Sequence, residues 1–229
     1  VADFTADFEA GSNGSNITTG AGEASATQWN AVFFDAPTYS NSNPAHGSLK
    51  ALVASSGNSQ MVWNMTTADH YGRIYFYAPS NPPTAPSLTV SAYDGGASVA
   101  SIYVVDNGKI RIADSALTLI DSTGTIATGQ WVRLEWHIIH SATVGQIIVR
   151  YFADADSATV TEEISSPANW NTHAAPTTMR FGGLSGGSWQ PSLDDIVANA
   201  TTWPGSAAPE TPVTAPQRLQ PRRGGTGRW

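Results

Sequence analysis

Apolar residues recur at every second position in several stretches of this chain. In Val132-Arg133-Leu134-Glu135-Trp136-His137-Ile138 the even positions are apolar and the odd ones are Arg, Glu and His. This is the period of a strand, whose successive side chains point to opposite faces of a sheet. In His70-Tyr71-Gly72-Arg73-Ile74-Tyr75-Phe76-Tyr77, Ile74 and Phe76 point inward, and Tyr71, Arg73, Tyr75 and Tyr77 share the other face. Similar short segments, broken by Gly, Asn, Ser and Pro, predict strands at 7–9, 31–36, 48–55, 59–66, 70–78, 87–94, 99–105, 109–113, 116–120, 131–139, 146–153, 159–164, 178–183 and 192–198. Asp106-Asn107-Gly108 supplies positive-φ residues for a tight hairpin between Ile102 and Ile112. Alternation assigns Ile74, Phe76, Leu134, Trp136, Ile138, Ile147 and Val149 to the core. No long amphipathic helix is predicted.

Composition supports the same class. Charged residues make up 13% of the 229 residues, while Gly, Ser, Thr, Asn and Ala are abundant, which favours turn-rich strands over helices with solvated charged faces. There is no cysteine, so disulfide and thiolate chemistry are excluded. No apolar run approaches the ~20 residues that span a bilayer, so membrane insertion is not expected. The start Val1-Ala2-Asp3-Phe4 lacks the basic-then-apolar layout of a signal peptide. Two lysines against nine arginines fit a GC-rich coding genome, such as that of an actinobacterium or its viruses.

Charge is unevenly placed. Of the net −7, residues 203–229 contribute four arginines and one glutamate, so residues 1–202 carry −10. The segment 203–229 is rich in Pro, Gly and Arg and cannot build a core of its own. It is therefore expected to be an extended C-terminal arm following a domain at 1–202. Trp203, Arg218, Arg222, Arg223, Arg228 and Trp229 are its candidate intersubunit contacts, meeting other copies of the chain or other subunits of an assembly. Nucleic acid is not an expected partner, because the body is acidic and the basic residues lie in the last dozen positions.

Four motifs carry a resemblance to a known superfamily. They are the Asp7-Phe8-Glu9 opening, Gly47-Ser48-Leu49-Lys50-Ala51-Leu52, Gly129-Gln130-Trp131-Val132-Arg133-Leu134-Glu135 and the closing Leu193-Asp194-Asp195-Ile196-Val197. Across roughly residues 3 to 200 the chain resembles the concanavalin A-like lectin/glucanase (LamG-like) jelly rolls. The resemblance implies an all-β, two-sheet antiparallel sandwich whose first and last strands are neighbours. In layout it also looks like bacteriophage minor tail proteins, with Trp203-Pro204-Gly205 stepping into a Pro-rich segment. It implies a virion surface component of the tail, decoration or fibre kind, with a host-surface glycan as partner. The alternative is a secreted carbohydrate-binding module or polysaccharide-degrading enzyme.

Ligands of this superfamily often sit on a concave sheet. Tyr71, Arg73, Tyr75, Tyr77, Arg133, Glu135 and His137 are the candidate glycan-binding residues, since sugar C–H faces stack on aromatic rings and hydroxyls accept from Arg. The competing reading is that the tyrosines pack under a neighbouring loop or subunit, with Arg133 paired to Glu135. No enzyme activity is expected. A retaining glycosidase needs two carboxyl groups ~5 Å apart, and the Glu-x-Asp-x-Glu strand of the resembled glucanases is missing. Tyr151-Phe152-Ala153 is a faint echo of the lyase-type strands, with no lysine behind it. The resemblance further implies a structural Ca²⁺ held by Glu9 and Asp194 where the chain ends meet; no other cofactor is expected.

Overall fold

The computed structural model describes residues 3–20, 27–33, 35–53, 57–83, 87–185 and 189–207. Its strands, in chain order, are β1 (Phe4–Ala6), β2 (Ala31–Phe33), β3 (Thr38–Ser40), β4 (Lys50–Leu52), β5 (Gly57–Asn64), β6 (Asp69–Tyr77), β7 (Ser87–Asp94), β8 (Ala97–Val104), β9 (Ile110–Asp114), β10 (Leu119–Asp121), β11 (Trp131–Ile139), β12 (Gln146–Phe152), β13 (Glu162–Ser165), β14 (Thr178–Ser185) and β15 (Ser192–Ala200). Among the described residues there is no helix. The strands form two antiparallel sheets. The first runs β13-β12-β11-β6-β15-β4-β3, and the second runs β10-β9-β8-β7-β14-β5-β2. The fold is thus the expected all-β two-sheet sandwich, its strands predicted by alternation and its two-sheet arrangement implied by the resemblance.

The two chain ends meet as expected, with a shift. Phe4, Thr5 and Ala6 pair with Ala198, Val197 and Ile196, while β4 pairs with the first part of β15, so β1 and β4 share one of its edges. The opening strand is therefore 4–6 rather than 7–9. Phe8 follows it with φ 59° and a fully buried side chain, anchoring the exit from β1 in the core. A second departure lies in β15, where the pairing with β6 shifts register between Asp194 and Val197 and Asp195 takes φ 43°. This bulge resets the alternation: Leu193, Ile196 and Ala198 enter the core and Val197 does not. In the 105–109 turn Gly108 alone has positive φ, and its N–H donates to the Val105 carbonyl at 2.8 Å.

The core between the sheets contains every residue that alternation assigned to it; Ile74, Leu134, Trp136, Ile147 and Val149 have no exposed surface. Trp136 lies directly across from Gly72 in the β11–β6 register. A Cβ at Gly72 would stand 2.0 Å from Trp136 Cζ2, so this glycine is what lets the indole lie flat on β6. An aromatic cluster ties the second sheet to the N-terminal segment. Trp29 and Trp63 stack at 4.1 Å, with Phe8, Phe4 and Phe181 around them.

Candidate functional site

The outward side chains of β6 and β11 sit side by side because the two strands pair in register over their whole length. Trp131 lies opposite Tyr77, Arg133 opposite Tyr75, Glu135 opposite Arg73 and His137 opposite Tyr71. β12 adds Phe152, Arg150 and Ile148 to the same rows, and β15 places Asp194 beside Tyr75. The seven residues singled out from the sequence thus form one patch on the face of the first sheet that points away from the core.

This face is covered by two of the protein's own segments. The 154–157 loop lies over Arg133, whose Nη1 donates to the Ala155 carbonyl and whose Nη2 donates to the Ser157 carbonyl at 2.8 Å. Arg133 also contacts Glu135 at 3.0 Å and lies 3.8 Å over the Phe152 ring. Residues 203–207 form the second cover. Trp203 lies under the Arg150 guanidinium at 3.8 Å and edge-on to Tyr71 at 5.1 Å. The Gly205 carbonyl accepts from Arg73 Nη1, and the Ala207 N–H donates to the Tyr75 hydroxyl, both at 3.0 Å. Tyr75, Arg133 and Glu135 are consequently buried, Arg73 nearly so, and Tyr71, Tyr77 and His137 are half-exposed. Trp203 rests on its own sandwich. Arg218, Arg222, Arg223, Arg228 and Trp229 lie outside the described residues.

Burial sets the protonation of the patch. It pushes the Tyr75 phenol up to about 12, helped by its 2.7 Å hydrogen bond to Asp156, so Tyr75 is a donor and not a base. Burial also raises Glu135, against the pull of Arg133, Arg73 and Arg150. His46 is clamped between two carboxylates, Asp195 at Nδ1 and Asp156 at Nε2. His137 binds Asp69 at 2.7 Å and stacks on Tyr71 at 3.9 Å.

The two acids expected to hold Ca²⁺ serve the 45–49 turn. Glu9 accepts from the Ser48 and Leu49 N–H groups at 2.8 Å and from the Ser48 hydroxyl. Asp194 accepts from the Ala45 N–H at 2.8 Å and the Asp195 N–H at 3.0 Å. Carboxylate oxygens committed to N–H donors do not form the cage of six to eight oxygens that calcium takes. Among the described residues no three His, Asp or Glu side chains are grouped to hold a metal. This donor set does not fit the ion.

Burial, reinforced by Asp195, lifts the Asp194 carboxyl from 3.8 to about 8, against the backbone N–H groups it accepts from. Between those values the folded state holds a proton that the unfolded chain has released. Stability should therefore fall as pH rises from about 4 to about 8. Asp194→Asn, neutral throughout, should flatten that slope, as read from urea midpoints at about pH 5 and about pH 8. An unchanged slope would assign the dependence to another group.

Two clefts open beside the covers. One, of about 400 Å³, is lined by Asp7, Glu9, His46, Arg73, Asp195 and Ala207 among others. The other, of about 390 Å³, lies along Gln130, Trp131 and the 153–156 loop. Next to it the Lys50 ammonium stands 5.5 Å from the Tyr77 ring and 5.6 Å from that of Trp131. Lys50, Trp131, Arg150, His46 and Asp156 were not among the residues singled out from the sequence. Trp131 shares the parity of Arg133 and was within reach of the alternation argument. The others were brought in by cross-strand register and by loop contacts, which alternation does not describe.

The fold is similar to that in the crystal structure of an endo-β-1,4-glucuronan lyase from the fungus Trichoderma reesei. The TM-score is 0.60 at 13% identity, over 86% of this chain and 100% of that one. It is also similar to the botulinum neurotoxin serotype D binding domain, with a TM-score of 0.51 at 8% identity, over 74% of this chain and 42% of that one. The binding domain of botulinum neurotoxin DC in complex with rat synaptotagmin II gives 0.50 at 8% identity, over 71% of this chain and 41% of that one. At these identities the likeness is one of fold alone, that of a two-sheet β-sandwich. No family model and no curated protein sequence matches the chain.

Proposed function

We propose that this protein is a non-catalytic glycan-binding sandwich displayed on a surface, and that it takes the sugar chain on the outer face of its first sheet. The carrying observation is the pair of half-exposed rings at the open end of that face. Trp131 and Tyr77 lie 5.6 Å apart at 55°, with the Lys50 ammonium against both and a cleft beside them. Such rings offer apolar stacking surface to sugar C–H groups, and the neighbouring amide and carboxylate groups of Gln130 and Asp154 can meet hydroxyls. Display on a bacteriophage virion, as a tail, decoration or fibre component, is supported by the Trp-Pro-Gly step and by the acidic body with its basic C-terminal segment. Calorimetric titration with fragments of host cell-wall and capsular polysaccharide should detect binding. Trp131→Ala should weaken it by about tenfold, ~1.4 kcal/mol. Unchanged affinity in that variant would remove the rings from the site, and no binding by any fragment would end the reading.

A second reading, a polysaccharide lyase, is favoured by the likeness to glucuronan lyase over that chain's whole length. It needs a base and a cation at an open site. Tyr75 holds its proton and is bonded to Asp156 and Ala207, and Arg133 is spent on Glu135 and two carbonyls. Monitoring the same titrations for unsaturated uronates separates the two readings. Turnover lost in Tyr75→Phe would establish the lyase.

A further inference from the structure

The contacts of residues 203–207 describe a ligand. The segment runs over β6 from Tyr71 to Tyr75, a distance of about 13 Å at 3.3 Å per residue, and it meets the face through three kinds of group. A flat ring, Trp203, sits against Arg150, Tyr71 and His137. A carbonyl oxygen, that of Gly205, takes the Arg73 Nη1 donor. A hydrogen-bond donor, the Ala207 N–H, meets the Tyr75 hydroxyl. We infer that residues 203–207 are a displaceable strap occupying the glycan site, and that the ligand which replaces them is an acidic, carboxylate-bearing oligosaccharide.

The class of ligand follows from what the strap leaves behind. Arg73 keeps the Asp195 carbonyl at Nε but loses its partner at Nη1. Arg150 keeps Glu163 and loses the ring against its guanidinium face. Tyr71 and His137 expose the surface of their stacked pair, and Tyr75 is left an acceptor. A sugar ring supplies the C–H face for the aromatic pair, a hydroxyl donates to Tyr75, and a carboxylate oxygen answers Arg73 with an ion pair that the neutral Gly205 carbonyl does not make. A neutral sugar can offer Arg73 only an uncharged hydroxyl oxygen.

This inference rests on the glycan-binding reading, and its test keeps the two apart. The full chain and Trp203→Ala are titrated with a glucuronate oligosaccharide and with a neutral cello-oligosaccharide of equal length, and hydrogen exchange of the unaltered chain is followed with and without the acidic sugar. The acidic sugar should bind better than the neutral one, and the 203–207 backbone should lose protection when it binds. Trp203→Ala should bind it about tenfold more tightly, because a site that is closed most of the time costs affinity in proportion. Binding of the acidic sugar with residues 203–207 still protected overturns the strap and leaves the glycan reading standing. So does equal or weaker binding by Trp203→Ala. If neither protein binds either sugar, the strap inference falls together with the glycan reading.

Discussion

Arg133→Met should lower the stability of the sandwich by about 3–5 kcal/mol, the usual cost of breaking a buried ion pair from one side. Arg133 is 1% exposed and Glu135 is 2% exposed, so neither loses its partner to water without consequence. Methionine replaces the aliphatic stem but not the guanidinium. The Ala155 and Ser157 carbonyls lose their donors, the Phe152 ring loses the cation above it, and the carboxylate remains under the loop. Burial already raises Glu135, and removing the nearest cation raises it further, so the variant relieves part of its cost by taking up a proton. A double variant, Arg133→Met with Glu135→Leu, should recover most of the loss, because apolar pairs of similar volume substitute well for buried ion pairs. Urea unfolding of the three proteins checks this. A single-variant cost below about 1 kcal/mol would mean that the pair behaves as an exposed one.

The same residues show where the sequence stops being informative. Alternation places Arg133, Glu135 and Tyr75 on the face away from the core, and that is where they lie. It cannot say what covers that face. The Asp154-Ala155-Asp156-Ser157 stretch reads as a turn-rich loop, yet its carbonyls are the acceptors for Arg133, and contacts of this kind depend on how far the 153–161 connection folds back over β11. The pairing of the chain ends was legible from the Phe-Glu and Leu-Asp-Asp-Ile motifs. The bulge at Asp195 was not, because a non-glycine residue at positive φ leaves no mark in a pattern of apolar positions. That bulge turns Val197 outward and lets the Asp195 carboxylate reach His46. On β12 the outward row is Ile148, Arg150 and Phe152, and its two apolar members mask Arg150 as a partner of the patch. The aromatic cluster around Trp63 was hidden for another reason: its members come from β1, β5, β14 and the segment before β2, and only tertiary structure collects them.

Trp63→Ala is expected to cost about 3–5 kcal/mol for the deleted side chain, with ~0.5–1.5 kcal/mol more from the lost ring pairs. Trp63 has no exposed surface. It stacks on Trp29 at 4.1 Å with planes 7° apart, meets Phe181 edge-on at 5.2 Å and touches Phe4 at 5.6 Å. Its indole N–H donates to the Thr27 carbonyl at 3.2 Å, fixing the segment that leads into β2. The rings around the vacated space belong to three different segments, so no single shift can fill it, and the cost should lie toward the upper end of the range. Trp63→Phe keeps a ring against Trp29 and should lose about half as much. β1 has a further stake in this residue, since it pairs with β15 over three residues and Phe4 is its link to the second sheet. In Trp63→Ala the 4–6 backbone should therefore exchange hydrogen faster than β11 or β12 by more than the global loss explains. Uniform acceleration across all strands would show that β1 is held by its pairing with β15 and not by the aromatic cluster.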